Sequence, residues 1–220
     1  MKRFFIRLLS MMAGLLFYAS GIVLGIKANI GYAPWEVFHV GLANTTGLSI
    51  GVISIIVGVI IATIVTILGE KLGFGTILNM IVIGLFIDII FPRLPTAKNP
   101  IIGTVMLIAG LFIISMGSYF YIRSAFGVGP RDNLMIVLAR RTKFPVGLCR
   151  GAIELLATVV GWFLGGMVGI GTVISVVLIG FCIQLVFKLL RFDVTAVKHE
   201  TLRDTFAALK RNYQGSDTSV

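Results

Sequence analysis

Six stretches of this chain, residues 8–26, 48–68, 75–91, 101–122, 146–167 and 171–190, are apolar for close to the roughly 20 residues a helix needs to cross a ~30 Å hydrocarbon core. Nothing else in the sequence constrains the fold as tightly. Inside lipid a backbone must satisfy its own N–H and C=O groups, and only helices or closed barrels do so. Runs this long and continuous are helical. The composition agrees: 57% of the 220 residues are hydrophobic and 13% are charged, about half the charged fraction of soluble domains. The basic start, MKRFFIR, has the look of a secretory signal. The apolar run behind it, however, exceeds the usual 7–15 or so residues and lacks a small-x-small cleavage pattern, so it is read as the first span.

With the N-terminus inside, sixteen of the nineteen Lys and Arg residues fall in inner segments, leaving only Lys27, Arg93 and Lys98 in outer loops. Both termini are therefore expected in the cytoplasm. The net charge of +10 acts as an insertion signal and an attraction to anionic inner-leaflet lipid, because no soluble domain carries the basic and aromatic interleaving of a nucleic-acid surface. Cys149 and Cys182 lie in apolar spans without metal-ligand spacing and read as small buried hydrophobes. No metal, cofactor or nucleotide-binding motif is expected.

Sliding the sequence against itself by ninety-six residues superposes, without a gap, Gly31 on Gly127, Pro34 on Pro130, Glu36 on Asp132, Gly51 on Gly147, GFGT (73–76) on GIGT (169–172), and Gly84 on Gly180. Chance matches in apolar sequence would pair leucines and valines, not glycines, prolines and acids. Each repeat carries three spans, an odd number, so the second is expected to enter the membrane upside down relative to the first. The predicted architecture is an all-α membrane protein of six transmembrane helices in two inverted three-helix repeats, 1–95 and 96–192. A cytoplasmic tail, 193–220, follows, with Val197, Leu202, Phe206 and Leu209 as the apolar stripe of an amphipathic helix on the inner leaflet.

After the first span of each repeat come PWEVFHVGLANT and PRDNLMIVLARRT, each about 12 residues or ~18 Å if helical and too short to cross. Proline suits a first helical position, and the glycine just before it permits a sharp turn. Pro34 and Pro130 thus predict two short helices, re-entrant or interfacial. Glu36 and Asp132 then stand at the third helical position, where a carboxylate reaches back to free backbone N–H groups. Capping is one reading of them. The other is that two half-helices dip in from opposite faces and present their N-termini, with Pro130 and Arg131, to a small molecule near the centre.

Other polar residues in the spans carry the same double reading. Asp88 and its repeat mate Gln184 are candidates for the site, with interface water as the alternative for Asp88. Arg150 and Glu154 share one face of the fifth span, as a plain ion pair or as a functional pair, and their counterparts in the first repeat are Ser54 and Gly58. The glycines of GFGT and GIGT read as close-packing positions with Thr76 and Thr172 bonding locally. His39, with no partner at metal-ligand spacing, reads as an outer-surface histidine.

The motifs GYAPWEVFHVGL, LSIGVISIIVGV, LGFGTILNMIVIGLFIDI, GVGPRDNLM, LCRGAIELL and GGMVGIGTVI resemble the YczE branch of the bacterial YczE/YyaS/YitT membrane-protein family, across residues 21–187. The resemblance implies a bacterial inner-membrane protein and assigns no functional residues. The expected function is a transporter or permease for a small polar molecule, not an enzyme, since no nucleophile and base constellation is apparent. Its candidate substrate-binding residues are Glu36, Asp88, Pro130, Arg131, Asp132, Arg150, Glu154 and Gln184. The alternative is a non-transporting scaffold or substrate-capture subunit. The bilayer is one partner, and a homo-oligomer or an energising protein is left open.

Overall fold

The protein is described by a computed structural model covering residues 2–197 and 199–202. Among the described residues eight α-helices follow in order: α1 (Lys2–Lys27), α2 (Pro34–Thr46), α3 (Ile50–Ile67), α4 (Phe74–Ile90), α5 (Pro100–Arg123), α6 (Pro130–Thr142), α7 (Val146–Phe163) and α8 (Ile170–Leu189). No strand occurs among the described residues. The helices α1, α3, α4, α5, α7 and α8 are long and apolar enough to cross a membrane. The remaining two are the short helices opened by Pro34 and Pro130, which stand at their first positions. The predicted tail helix lies outside the described residues except for its first few positions.

The ninety-six-residue offset reappears in the backbone. Helices α2, α3 and α4 start that far before α6, α7 and α8. Asn29 and Ala125, just past the ends of α1 and α5, share positive φ of 54° and 58°, and Gly31 and Gly127 follow at 111° and 125°. That second conformation is costly for any residue with a Cβ. It is reinforced by crowding: a Cβ on Gly31 would sit 2.6 Å from the backbone N of Gly169, and one on Gly127 would sit 2.8 Å from the Cα of Gly73.

Each turn therefore lodges against the GxGT helix start of the other half. Gly171 N–H donates to Ile30 O at 2.8 Å and Gly75 N–H donates to Phe126 O at 2.7 Å. Thr76 and Thr172 accept from the backbone N–H of Gly73 and Gly169, both at 3.2 Å, closing the first turns of α4 and α8. These motifs thus pack closely and bond locally, and Thr76 Oγ1 also donates to Val128 O of the other half at 2.7 Å.

The helices α1 and α5 form the central pair, with α4 against α1 and α8 against α5. The core runs along α1 through Met11, Leu15, Ala19, Ile22 and Val23, meets Val82, Ile83 and Ile87 of α4, and is closed by Phe126. The short helices wedge between the spans, α2 against α7 and α6 against α3. Cys149 and Cys182 are buried free thiols, as small hydrophobes should be.

The two short helices are buried unequally. WEVFHVGL reads as the more amphipathic of the two, yet α2 is the better buried: Pro34, Val37, His39, Val40 and Gly41 are all inside. Helix α6 instead leaves Asp132, Ile136, Arg140 and Arg141 exposed. The cause is α7, which crosses α2 where Gly161 meets Phe38, so tightly that a Cβ on Gly161 would lie 2.5 Å from the Phe38 backbone.

Candidate functional site

A cavity of about 320 Å³ lies where α6 and α7 face α1, α3, α4, α5 and α8. Pro130, Arg131, Asp132, Arg150 and Glu154 line it together with Tyr18, Trp35, Asn79 and Tyr121. Their positions follow from local rules. Pro130 fixes the start of α6, so Arg131 and Asp132 project from a first turn whose N–H groups have no helical partner. Arg150 and Glu154 are four residues apart on α7, and the Arg150 Nε donates to Glu154 Oε1 at 2.8 Å.

Arg131 joins the starts of the two short helices. Its guanidinium carbon lies 4.7 Å from the centre of the Trp35 ring, its Nη1 is 3.9 Å from Glu36 Oε1, and its Nη2 is 3.2 Å from His39 Nε2. Because arginine can only donate, His39 Nε2 is the acceptor and its ring proton sits on Nδ1. This corrects the surface reading of His39, which is 1% exposed. Its partner lies ninety-two residues away in sequence, and no spacing rule reaches that far.

The two acids of the short helices differ. Glu36 faces Arg131, whereas Asp132 makes no hydrogen bond and no ion pair among the described residues. Asp132 lies within electrostatic reach of Arg150, Arg131 and Glu154 and is exposed to the cavity.

Asp88 stands elsewhere. Its carboxylate accepts from Ser49 Oγ at 2.5 Å and from Gly51 N–H at 2.8 Å, so it caps α3 from the neighbouring helix. Gln184 lies on α8 and is not among the cavity-lining residues. The structure thus brings Pro130, Arg131, Asp132, Arg150 and Glu154 together with Glu36 at their edge, and leaves Asp88 and Gln184 apart. His199, beyond α8, also lines the cavity. It is half-buried, and burial pushes its imidazole below the ordinary histidine pKa.

A second void, of about 20 Å³, is lined by Ile22, Gly25, Ala33, Glu36, Ile114 and Ser175, among others. Moved by ninety-six residues, those six become Ser118, Tyr121, Gly129, Asp132, Tyr18 and Asn79, all lining residues of the large cavity. One set of positions thus lines a chamber on one side and a space fit for a single water on the other. Sequence reading missed Tyr18, Asn79, Tyr121 and Ser175. Asn79 and Ser175, polar mates inside apolar spans, were the available signal.

These features define a polytopic helical membrane protein with a polar chamber among its spans. Residues 5–188 match a family of unknown function, DUF6198, and the chain belongs to that family. It is 34% identical over 177 residues to the uncharacterized membrane protein YczE of Bacillus subtilis, covering 78% of this chain and 81% of that one. An uncharacterized protein of Haemophilus influenzae is 30% identical, over 75% of this chain and 76% of its own length. The uncharacterized protein YyaS of Bacillus subtilis is 26% identical, over 78% and 88% respectively. No solved structure matches the chain.

Proposed function

We propose that this protein is a bacterial inner-membrane permease that moves a small polar molecule by opening one central site alternately to the two sides. In this reading residues 1–95 and 96–192 are inverted three-span repeats, α2 and α6 are half-helices entering from opposite faces, and both termini are cytoplasmic. The odd number of spans per repeat and the placement of sixteen of nineteen basic residues support the inversion. The protein binds and moves its ligand without making or breaking covalent bonds.

One observation carries the reading: equivalent positions of the two halves line a chamber of about 320 Å³ in one case and about 20 Å³ in the other. Two related halves in unlike conformations are what a molecule with one open side and one closed side requires. With α7 starting and α8 ending on the inner face, the open side is the cytoplasmic one.

The test is uptake by purified protein in sealed vesicles, screened over a metabolite panel. Uptake with no second protein present supports the permease. Ligand binding without uptake, restored only by adding a membrane fraction, marks a substrate-capture subunit instead.

A further inference from the structure

Each arginine in the chamber already has an acid: Arg131 faces Glu36 at 3.9 Å and Arg150 holds Glu154 at 2.8 Å. Asp132 is the charge left over. With three acids against two arginines the site carries one net negative charge, and an arriving positive group would balance it.

The surroundings of Asp132 say which positive group. Three oxygens converge on the point where a Cβ of Gly129 would be: Asp132 Oδ2 at 3.3 Å, Asn79 Oδ1 at 3.7 Å and Tyr121 OH at 3.8 Å. Tyr121 is 4% exposed, and its hydroxyl is buried with no hydrogen-bond partner. A buried hydroxyl without a partner, beside a carboxylate that makes no hydrogen bond among the described residues, marks a place where a polar group belongs.

From this convergence we infer that the chamber receives a small organic molecule through a primary ammonium group, bound by Asp132, Asn79 and Tyr121; the inference rests on the reading of the chamber as the transport site. Three acceptors with one net negative charge complement a compact cation that has three N–H donors. A quaternary ammonium offers none. A bare alkali ion would need more oxygens than these and would leave most of about 320 Å³ unfilled. An anion would meet Asp132 and Glu154. The aromatic faces of Tyr18 and Tyr121 and the apolar walls at Ile114 and Ile183 suit a carbon body behind the ammonium.

Thermal stabilisation of the purified protein tests this with butylamine, 1-butanol, butyrate, tetramethylammonium chloride and sodium chloride as probes. Butylamine is expected to raise the melting temperature and the other four are not. Asp132→Asn should weaken the butylamine response roughly tenfold to hundredfold in half-effective concentration. Gly129→Ala keeps every charge and fits a backbone at φ −61°, ψ 153°, but sets a methyl group against the three oxygens and crowds an ammonium seated among them, and should strongly weaken the response. Tyr121→Phe should weaken it. Should Asp132→Asn fail to fold, the Gly129 and Tyr121 variants carry the result.

Equal stabilisation by sodium or tetramethylammonium, stabilisation by butyrate, a butylamine response untouched by the variants, or no amine response at all overturns the inference. Amine binding lost in the variants, with no amine uptake in vesicles, keeps the ammonium site and removes the permease. Uptake of a molecule without an amine does the reverse.

Discussion

The pair α3–α4 and the pair α7–α8 are built from matching sequence and packed in opposite ways. Gly51 and Gly84 put α3 and α4 in backbone contact: a Cβ on Gly84 would lie 2.5 Å from Ile55 and 2.6 Å from Gly51 O. Asp88 then reaches across to cap α3. At the matching positions of α7 and α8, a Cβ added to Gly147 or Gly180 would find nothing within 4 Å, and the two helices hardly touch. In the proposed permease, small residues placed for close contact and left without one would form a joint that closes at another stage of the cycle.

The sharpest way to break the comparison is a bulky residue on each side. Gly84→Leu should destabilise by about 3 kcal/mol or more through overpacking, read as a large fall in melting temperature. Gly180→Leu should stay within about 0.5 kcal/mol of the parent, as an open-surface change does, yet stop uptake by propping the joint apart. Equal stability losses at both sites would show that the two pairs are not in different states.

Next in size, Asp88→Ala removes the cap of α3 and should cost ~1–2 kcal/mol, while Gln184→Ala should change stability by no more than a few tenths of a kcal/mol. Paired cysteines sharpen the picture further. In a background lacking Cys149 and Cys182, cysteines at 147 and 180, where a Cβ meets nothing within 4 Å, should cross-link only when ligand drives the proposed cycle; immediate cross-linking without ligand would refute the asymmetry.

The smallest effect concerns the chamber wall. Arg150 and Glu154 occupy the α7 positions that Ser54 and Gly58 occupy on α3, and all four line the chamber. Replacing both charged residues with leucine should leave stability within about 1 kcal/mol, because a matched pair is lost whole, and should reduce uptake. Normal uptake in that variant would make the pair a dispensable ion pair.

Much of this was legible in the chain. Apolar length marked the six spans, and Pro34 and Pro130 marked the first positions of α2 and α6, because those signals are local and physically strict. The partners of His39 and the capping role of Asp88 were hidden, since each depends on a residue dozens of positions away and on which helix face turns inward. The gap between α7 and α8 was hidden for a different reason. The repeat sequences match at these glycines, and the structure makes the contact in one half and not in the other.

The turns at Gly31 and Gly127 bear on biogenesis. A ribosome delivers α1 to α4 to the membrane while the Gly169–Gly171 segment that satisfies Ile30 O is still unmade, so a newly inserted first half leaves that carbonyl without its native partner. Neither half is a finished object by itself. Synthesised alone, the first half is a client for insertase and protease; co-expressed as two polypeptides cut between α4 and α5, the halves should rescue each other by exchanging these turns.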